Sequence, residues 1–447
     1  MPVASFGRAR WGRTFFERSL ETMRPRAIEE LQLKRLKKIV RYAHDRVPFY
    51  RRRFREAKAR PDAIRALEDI RRVPVTTKDD LREAYPYGLL AVPLSEVREF
   101  HASSGTTGKP TVVGYNEHDL DVWRRLMARC YACAGARSGD IVQNSYGYGL
   151  FTGGLGFHYG AQALGLAVWP VSGGNTRRQL MFLKDMRPTI LASTPSYALY
   201  LAEEARANGY APGEDFRLRL GMFGAEPWSE EARARIQEGL NLRANDCYGL
   251  SELYGPGVAM ECEEQAGLHL WADEFLPEVI DPRTGEALEP GEPGELVVTM
   301  LTREAMPLLR FRTRDLTAID MEECPCGRYH PRIRRIRGRS DDMLIIGGVN
   351  VFPSQIEHVL MNVEGVGEWY EILVDRDILD KLSVRVEVDP KFYDSPAFDP
   401  GQLQQTIAEE LRAVLSIWAR VELLKPGTIP RSEGKANRVI DLRRRGS

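Results

Sequence analysis

The alternation of short apolar runs with helical patterns between residues 140 and 250 constrains the fold more than any other feature of this sequence. The apolar runs predict strands at 140–146, 166–172, 189–194 and 218–227, and the periodic segments predict helices at 176–186, 195–208 and 229–240. Strands that alternate with helices pair in parallel, so we expect an α/β sheet covered on both faces. Ligands of such sheets bind beyond the carboxyl ends of the strands.

The rest of the chain divides on either side of a short segment at residues 339–342. Short β-type runs separated by Pro- and Gly-rich turns fill 276–312 and predict a β-rich part of the first unit. The second unit has predicted helices at 353–362 and 401–415 and strands near 371–376, 382–388 and 420–425, the pattern of an α+β domain. We therefore expect domains at 1–338 and 343–447 joined by a hinge at 339–342.

Composition excludes several classes of partner. The 447 residues contain 63 Lys and Arg and 63 Asp and Glu, so zero net charge gives no general attraction to nucleic acid or to anionic membranes. The longest uncharged stretch, 141–176, carries too many polar residues for a lipid-facing helix, and the opening residues show no apolar secretory core. An amphipathic helix at 27–44 is expected to dock on its own domain. With six cysteines in so long a chain, we expect a cytoplasmic protein without disulfides.

Residues 103–109, SSGTTGK, combine small hydroxyls, glycine and one lysine. They lack the Gly and Ser/Thr spacing of a Walker A loop, and GLGFHYG at 154–160 lacks the glycine spacing of a dinucleotide fingerprint. Backbone amides and hydroxyls in such a loop can surround a polyphosphate, with the lysine as a point charge. Taken alone, the loop is equally typical of a flexible surface turn.

Four residues could form a structural zinc site. The C-x-C pair Cys324 and Cys326, with Cys262 and His269 from an earlier segment, supplies a closed Cys₃His set. A rival set uses the C-x-x-C pair Cys130 and Cys133. That pair lies in a helical pattern, where buried cysteines usually act as small apolar side chains.

Five motifs in order resemble those of adenylate-forming enzymes: SSGTTGK, YGLSE (248–252), FRTRD (311–315), GRSDDMLIIGGVNVFPSQIE (338–357) and PRSEGKANR (430–438). Together with the segments YGYGLFTGGLGFHYGA and FGAEPW, these motifs resemble in sequence those of the phenylacetate–CoA ligase family, and the resemblance extends over residues 27–443. The resemblance implies a large N-terminal domain of layered, mostly parallel sheets with a β-rich subdomain, followed by a small mobile α+β domain. It also implies a homodimer.

The resemblance assigns nucleotide-binding roles to several residues. Tyr248 would stack on adenine, Glu252 would hold Mg²⁺, and Asp315 would accept the ribose hydroxyls. Arg339 would assist at the ribose or the phosphates. The other ATP-binding residues that it implies are Ser103, Ser104, Gly105, Thr106, Thr107, Gly108 and Lys109 at the β- and γ-phosphates, Ser251 at the α-phosphate, Gly249 in the YGLSE motif, and Glu226 and Pro227 at the adenine edge.

The same resemblance implies a two-step reaction. A carboxylate attacks ATP to give an acyl adenylate, and coenzyme A then displaces AMP. Lys435, delivered by the C-terminal domain, would neutralise both reacting anions in the first step, and Asp341 would be the hinge residue. Tyr146 and Phe151 would face an aromatic acid. Some relatives bind zinc at the four Cys and His positions, and Gly347 replaces an arginine that relatives often carry near the coenzyme A entrance.

The implied activity is arylacetate–CoA ligation, with phenylacetate as the first choice of acid. Two alternatives are a ligase for another aromatic or heteroaromatic acid and an adenylyltransferase that acts on a non-carboxylate ligand. A third, from a different class, is a regulatory module that binds nucleotide without turnover. Lys435, Glu252 and Asp315 argue against the third, because a binding module has no use for a delivered lysine.

Overall fold

The computed structural model describes residues 14–103, 110–346, 349–376, 380–396, 398–431 and 438–444. The first elements are α1 (Arg18–Glu21), α2 (Pro25–Arg46), α3 (Pro48–Glu56), 3-10 turns at Pro61–Ala63 and Leu67–Arg72, α4 (Lys78–Glu83), a 3-10 turn at Leu94–Glu96, β1 (Glu99–Ala102) and β2 (Val112–Tyr115). The helix expected at 27–44 is confirmed as α2, which buries Leu36, Val40 and Ala43 against the large core. β1 and β2 pair antiparallel on either side of the Gly-rich loop.

The predicted strand–helix alternation is confirmed. In chain order the elements are α5 (Glu117–Cys133), β3 (Ile141–Asn144), α6 (Thr152–Ala163), β4 (Ala167–Trp169), α7 (Thr176–Asp185), β5 (Ile190–Ser193), α8 (Pro195–Ala207), α9 (Pro212–Asp215), β6 (Leu220–Gly224), α10 (Glu230–Leu240) and β7 (Arg243–Leu250). The strands β4-β3-β5-β6-β7 pair in parallel in that spatial order. Their apolar side chains pack under helices on both faces of the sheet.

Antiparallel strands extend this sheet and form a second one. They follow as a 3-10 turn at Ser251–Leu253, then β8 (Gly255–Glu261), β9 (Leu268–Leu270), β10 (Phe275–Ile280), β11 (Gly294–Met300), β12 (Phe311–Thr317), β13 (Ile319–Asp320) and β14 (Arg332–Ile333). The order β7-β8-β9-β14-β13 completes a nine-stranded mixed sheet, and β10-β11-β12 form a separate antiparallel sheet. The β-rich texture expected at 276–312 corresponds to this second sheet.

The C-terminal part has an apolar core of its own. Its elements are β15 (Leu344–Ile346), β16 (Val349–Val351), α11 (Pro353–Asn362), β17 (Val366–Arg376), β18 (Asp380–Val388), α12 (Pro390–Tyr393), α13 (Pro400–Leu415), β19 (Ala419–Leu424), β20 (Val439–Asp441) and a 3-10 turn at Leu442–Arg444. Strands β19-β18-β17-β20 form one sheet, on which α11 and α13 pack. The predicted order of helices and strands in this unit is confirmed.

The Gly-rich part of the uncharged stretch forms α6, which packs closely against α5. A Cβ at Gly160 would lie 2.3 Å from the Cβ of Met127, and one at Gly156 would lie 2.6 Å from the Trp123 ring. Glycine is therefore required at both positions for the two helices to approach. Within the described ranges, no helix is long and apolar enough to cross a bilayer.

Candidate functional site

Tyr248 in β7, Asp315 in β12 and Arg339 meet at one end of the candidate nucleotide site. The Tyr248 hydroxyl donates to Asp315 Oδ2 at 2.6 Å, and Arg339 Nη1 lies 3.6 Å from Asp315 Oδ1. The Arg339 guanidinium also donates two hydrogen bonds to the Asp341 carboxylate, at 2.9 and 3.0 Å. The structure thus brings together three predicted nucleotide-binding residues and the predicted hinge residue.

Burial controls the charge of the Asp315 carboxyl group. Loss of water contact raises its pKa to about 6, although Arg339 and the hydrogen bond from Tyr248 act in the opposite direction. Burial and the Asp315 charge raise the pKa of Tyr248 well above its usual value, so the phenol stays a proton donor. Near neutral pH the site therefore presents a buried carboxylate with one neutral donor on it and acceptor capacity to spare.

Glu252, in the 3-10 turn that follows β7, is the centre of a second polar group. Its carboxylate is buried, accepts a hydrogen bond from Thr111 Oγ1 at 3.1 Å, and lies 3.3 Å from the ammonium of Lys78. Ser103 Oγ accepts a hydrogen bond from the Thr111 amide at 3.1 Å and lies 2.7 Å from the Thr111 hydroxyl. The first residue of the Gly-rich loop is thus linked through Thr111 to the predicted Mg²⁺ ligand.

Two glycines at this end of the sheet are required by close backbone contacts. A Cβ at Gly249 would lie 1.8 Å from the carbonyl oxygen of Gly255, and one at Gly224 would lie 2.1 Å from that of Cys247. No side chain fits at either position. Gly249 therefore allows β7 to continue directly into the turn that carries Ser251 and Glu252.

The GAEPW segment follows β6. Glu226 Oε1 accepts a hydrogen bond from the Ser196 amide at 2.7 Å, which fixes it at the N-terminal end of α8. Pro227 is exposed beside it. Burial, Glu357 and Glu226 all raise the pKa of Tyr370 in β17, so this segment lies within electrostatic range of the C-terminal domain.

Tyr146 and Phe151 occupy different environments. Tyr146 is buried and stacks on Phe157 with ring centroids 4.8 Å apart and planes 5° apart, while its hydroxyl donates to Gly224 O at 3.4 Å. Phe151 precedes α6 with 54% of its surface exposed. Its neighbour Leu150 accepts a hydrogen bond from the Ala102 amide at 3.0 Å, so this segment lies beside the start of the Gly-rich loop.

The C-terminal domain docks on α8 and α10 through separate polar contacts. Glu203 in α8 accepts hydrogen bonds from Trp369 Nε1 at 2.8 Å and Arg431 Nη2 at 2.7 Å. In α10, Arg235 donates to the carbonyl oxygen of Met361 at 3.1 Å. Arg431 is the last described residue before 438, so one flank of the Lys435 segment is fixed at the domain interface.

The four predicted zinc ligands converge. Cys262, His269, Cys324 and Cys326 are buried, and their ligand atoms all lie within 4.8 Å of one another. The Sγ atoms of Cys262 and Cys324 are 3.7 Å apart, and Cys326 Sγ is 3.3 Å from His269 Nε2. Tetrahedral zinc sets about 3.8 Å between two sulfurs and about 3.6 Å between sulfur and nitrogen, so the donor set fits this metal.

The surroundings of this Cys/His cluster orient its histidine. His269 Nδ1 lies 3.4 Å from the carbonyl oxygen of His330, which leaves Nε2 free to bind a metal. His330 accepts from the Ala272 amide at 3.0 Å and donates to Leu20 O at 3.0 Å, and burial lowers its pKa to about 4. The rival cysteines are not part of this converging set: Cys130 lies beside Trp271 and Cys133 beside Met260.

The N-terminal segment covers the cluster. Arg328 Nε donates to the buried Glu21 carboxylate at 2.9 Å, and Arg328 Nη2 donates to Thr14 O at 2.6 Å. Thr14 Oγ1 in turn donates to Ala132 O at 2.6 Å. No motif indicates a role for residues 14–21, because the contacts of Arg328 with Glu21 and Thr14 join positions 307 and 314 residues apart.

Several predicted residues lie outside the described ranges. They are Ser104, Gly105, Thr106, Thr107, Gly108, Lys109, Gly347 and Lys435. Sequence reasoning also missed Lys78, Thr111 and Phe157. The motif TTKDD predicts the helix start at α4, where Thr77 and Asp80 form a capping box, but nothing in it indicates a carboxylate partner so distant in sequence.

Comparisons with known proteins agree with this geometry. The family model of AMP-binding enzymes matches residues 31–300, and the AMP-binding enzyme C-terminal domain matches residues 348–443. A phenylacetate–coenzyme A ligase of Thermus thermophilus is 50% identical over 448 residues, which cover 96% of this chain and 100% of the relative.

Among solved structures, 2-hydroxyisobutyryl-CoA ligase in the postadenylation state with 2-HIB-AMP has a TM-score of 0.91 and 33% identity, covering 99% of this chain and 94% of that one. The same ligase with 2-HIB-AMP and CoA in its thioesterification state gives a TM-score of 0.72, with the same identity and coverage. The domain arrangement described above therefore follows the postadenylation structure more closely. The chain belongs to the adenylate-forming superfamily of AMP-binding enzymes and, within it, to the phenylacetate–coenzyme A ligase family.

Proposed function

We propose that this protein is an ATP-dependent ligase that joins phenylacetate to coenzyme A and releases AMP and pyrophosphate. The identity to a phenylacetate–coenzyme A ligase over nearly the whole of both chains carries the proposal. In the first step a carboxylate oxygen bonds to the α-phosphorus of ATP while the bond to pyrophosphate breaks. In the second step the coenzyme A sulfur bonds to the acyl carbon and AMP leaves.

Asp315 and Tyr248 form the nucleoside end of the proposed site. The buried Asp315 carboxylate has acceptor capacity for two ribose hydroxyls, and Arg339 at 3.6 Å limits the cost of keeping it charged. Tyr248 would lie against adenine, with its hydroxyl held by Asp315. Glu226 and Pro227 would border the base, and Ser251 would contact the α-phosphate.

Glu252 is the residue that would hold Mg²⁺. A buried carboxylate beside the Thr111 hydroxyl offers the hard oxygen ligand that this ion prefers. When bound, the metal supplies positive charge that offsets the repulsion between triphosphate and an incoming carboxylate. The Gly-rich loop, residues 103–109, would hold the β- and γ-phosphates, and Ser103 is tied to Glu252 through Thr111.

Lys435 would supply the second cation for the first step. Its ammonium would contact both the acid and the α-phosphate, where charge accumulates on the pentavalent phosphorus. One site then serves both steps if the domain at 343–447 turns on the segment 339–342 relative to residues 1–338. The Arg339–Asp341 pair lies in that segment, so the hinge adjoins the nucleoside end of the site.

The acid would bind beside Tyr146 and Phe151. Tyr146, stacked on Phe157, provides a buried aromatic wall, and Phe151 stands beside the start of the Gly-rich loop. Aromatic walls favour an aryl ring through offset or edge contacts. The Cys/His cluster would hold one structural Zn²⁺ with no open position.

Acid-dependent exchange of pyrophosphate into ATP, followed by thioester assay with coenzyme A, tests the proposal. We expect exchange with phenylacetate above that with benzoate and other aromatic acids. Absence of exchange with every aromatic acid would contradict a ligase of this class, and a higher rate with another aromatic or heteroaromatic acid would favour a ligase for that acid. Adenylyl transfer to a non-carboxylate acceptor would favour the adenylyltransferase. Sedimentation tests the expected homodimer, and cell fractionation tests the expected cytoplasmic location.

A further inference from the structure

Lys78 forms an ion pair that none of the five sequence motifs explains. Its Nζ lies 3.3 Å from Glu252 Oε1, on a carboxylate that is almost fully buried, whereas the lysine side chain is about one-third exposed. A buried carboxylate without a counter-charge is costly. In the free protein Lys78 therefore supplies the positive charge at the position where a divalent cation would bind.

The backbone before Lys78 is firmly attached to the second sheet. Thr76 receives a hydrogen bond from the Arg312 amide at 2.9 Å and donates its own amide to Arg310 O at 3.0 Å. Its hydroxyl donates to Leu309 O at 2.8 Å. α4 then begins at Lys78, with Thr77 as its N-cap. These contacts hold the lysine at the base of the Gly-rich loop, while its side chain can still rotate.

A divalent ion held by Glu252 would change the partners of Lys78. It would offset the carboxylate charge, and the Lys78 ammonium would be available to the anions that accompany the ion. Since Glu252 is linked through Thr111 to Ser103, those anions would be the phosphates that we propose for the Gly-rich loop. A lysine ammonium has three donors and can exchange a carboxylate for a phosphate with a change of rotamer.

We propose that Lys78 is a substrate-binding residue for the terminal phosphates of ATP and for pyrophosphate, and that it pairs with Glu252 when these are absent. This assignment rests on the proposed function, in which residues 103–109 and Glu252 bind the triphosphate and its metal. Asp315, Tyr248 and Arg339 form the separate nucleoside end, so Lys78 contributes little to the binding of AMP.

Calorimetric titration of the full chain with Mg·ATP, Mg·pyrophosphate and AMP tests this assignment. For Lys78→Gln we expect the Kd values of ATP and pyrophosphate to rise about tenfold or more, the contribution of one charge-assisted hydrogen bond, and that of AMP to change less than about twofold. Lys78→Arg should restore most of the loss. Lys34→Gln, which removes an equal charge from an exposed position in α2, is the matched control.

Removal of Lys78 alone leaves the buried Glu252 carboxylate without its counter-charge, which favours misfolding. A double variant that removes both charges therefore provides a second test. Lys78→Gln/Glu252→Gln should bind pyrophosphate about tenfold more weakly than Glu252→Gln alone. Unchanged ATP and pyrophosphate affinities, or an equal loss for AMP, would overturn the assignment and make Lys78 a structural counter-ion. The titrations contain no carboxylic acid substrate, so their result does not depend on whether the protein activates an aromatic acid.

Discussion

Glu252 and the Cys/His cluster lie at opposite ends of strand β8, and the nucleotide site and the cluster hold their polar groups in different ways. Glu252 precedes this strand by three residues and Cys262 follows it directly, and its seven extended residues give the strand a length of about 23 Å. In the cluster, His269 is oriented by a backbone carbonyl and the four ligand atoms face one another. In the nucleotide site, Asp315 and Glu252 are each held by two polar side chains, through contacts that a ligand can replace. The first arrangement suits a ligand that stays bound, and the second suits a ligand that is exchanged.

The largest expected effect is at Lys435, which we propose the C-terminal domain supplies to the nucleotide site. Lys435→Ala should reduce acid-dependent pyrophosphate exchange about 100- to 1000-fold, because the negative charge that accumulates around the phosphorus would lose the ammonium that stabilises it. Thioester formation from supplied acyl adenylate should be largely retained. Rapid-quench assays of the two half-reactions measure both, and equal losses would argue against one site serving both steps in different domain positions.

Loss of one ligand from the Cys/His cluster should change both the stability and the metal content of the protein. Cys324→Ser removes one of four ligands and should lower the free energy of unfolding by about 3 kcal/mol, with loss of bound zinc. Cys133→Ala, from the rival pair, should keep the metal. Mass spectrometry of native protein and chemical denaturation supply the measurements. Parent protein purified without any metal would remove the zinc assignment.

The buried carboxylate of Asp315 should lower the free energy of unfolding at neutral pH. Its pKa is raised to about 6 in the folded protein, so between pH 4 and 6 the folded state keeps a proton that the unfolded chain releases. The stabilisation from this proton is lost as pH rises, and above pH 6 the buried charge costs up to about 3 kcal/mol. Asp315→Asn should therefore be more stable than the parent at pH 7.5, and equally stable near pH 4.

Nucleotide binding should show the opposite trend at Asp315. The ionised carboxylate accepts hydroxyl donors, so AMP affinity of the parent should increase as pH rises from 5 to 7, with a midpoint near 6. Asp315→Asn should bind AMP weakly, with that transition absent. Titration calorimetry across this range tests the assignment, and an identical pH profile in the variant would assign the transition to another group.

The smallest effect is expected at the domain interface. Glu203→Gln weakens the contact to Arg431 by about 1 kcal/mol, so the docked position should be populated about fivefold less. Because the described arrangement follows the postadenylation structure, adenylation should slow while thioester formation is maintained or accelerated. Glu204→Gln is a neighbouring control. A uniform loss in both half-reactions would indicate local damage.

Local patterns predicted most of the fold. The strands β3, β5 and β6 and the helices α7, α8 and α10 follow directly from apolar periodicity and from N-caps such as Ser229. Helix α6 did not follow, because TGGLGFHYGAQA has the composition of a loop. Its glycines are explained by close packing on α5, which is a tertiary requirement that the composition alone does not express.

The residues of the candidate site also divide into those that sequence motifs predict and those that depend on tertiary structure. Tyr248, Asp315 and the four metal ligands were predicted because they stand in motifs, and the structure brings each group together. Lys78 and Thr111 were missed because each gains its role from Glu252, which joins the site from another part of the chain. The ionisation of Asp315 could not be predicted from the sequence either, because its pKa depends on how deeply the folded protein buries the side chain.

The cover formed by residues 14–21 has a consequence for synthesis of the chain. The buried Glu21 carboxylate accepts local hydrogen bonds from the amides of Phe16 and Glu17, but its charged partner Arg328 is synthesised 307 residues later. At ordinary translation rates this interval lasts from about 15 seconds to a minute. During that time residues 14–21 lack their contacts with Arg328, so their final packing over the cluster follows synthesis of that residue.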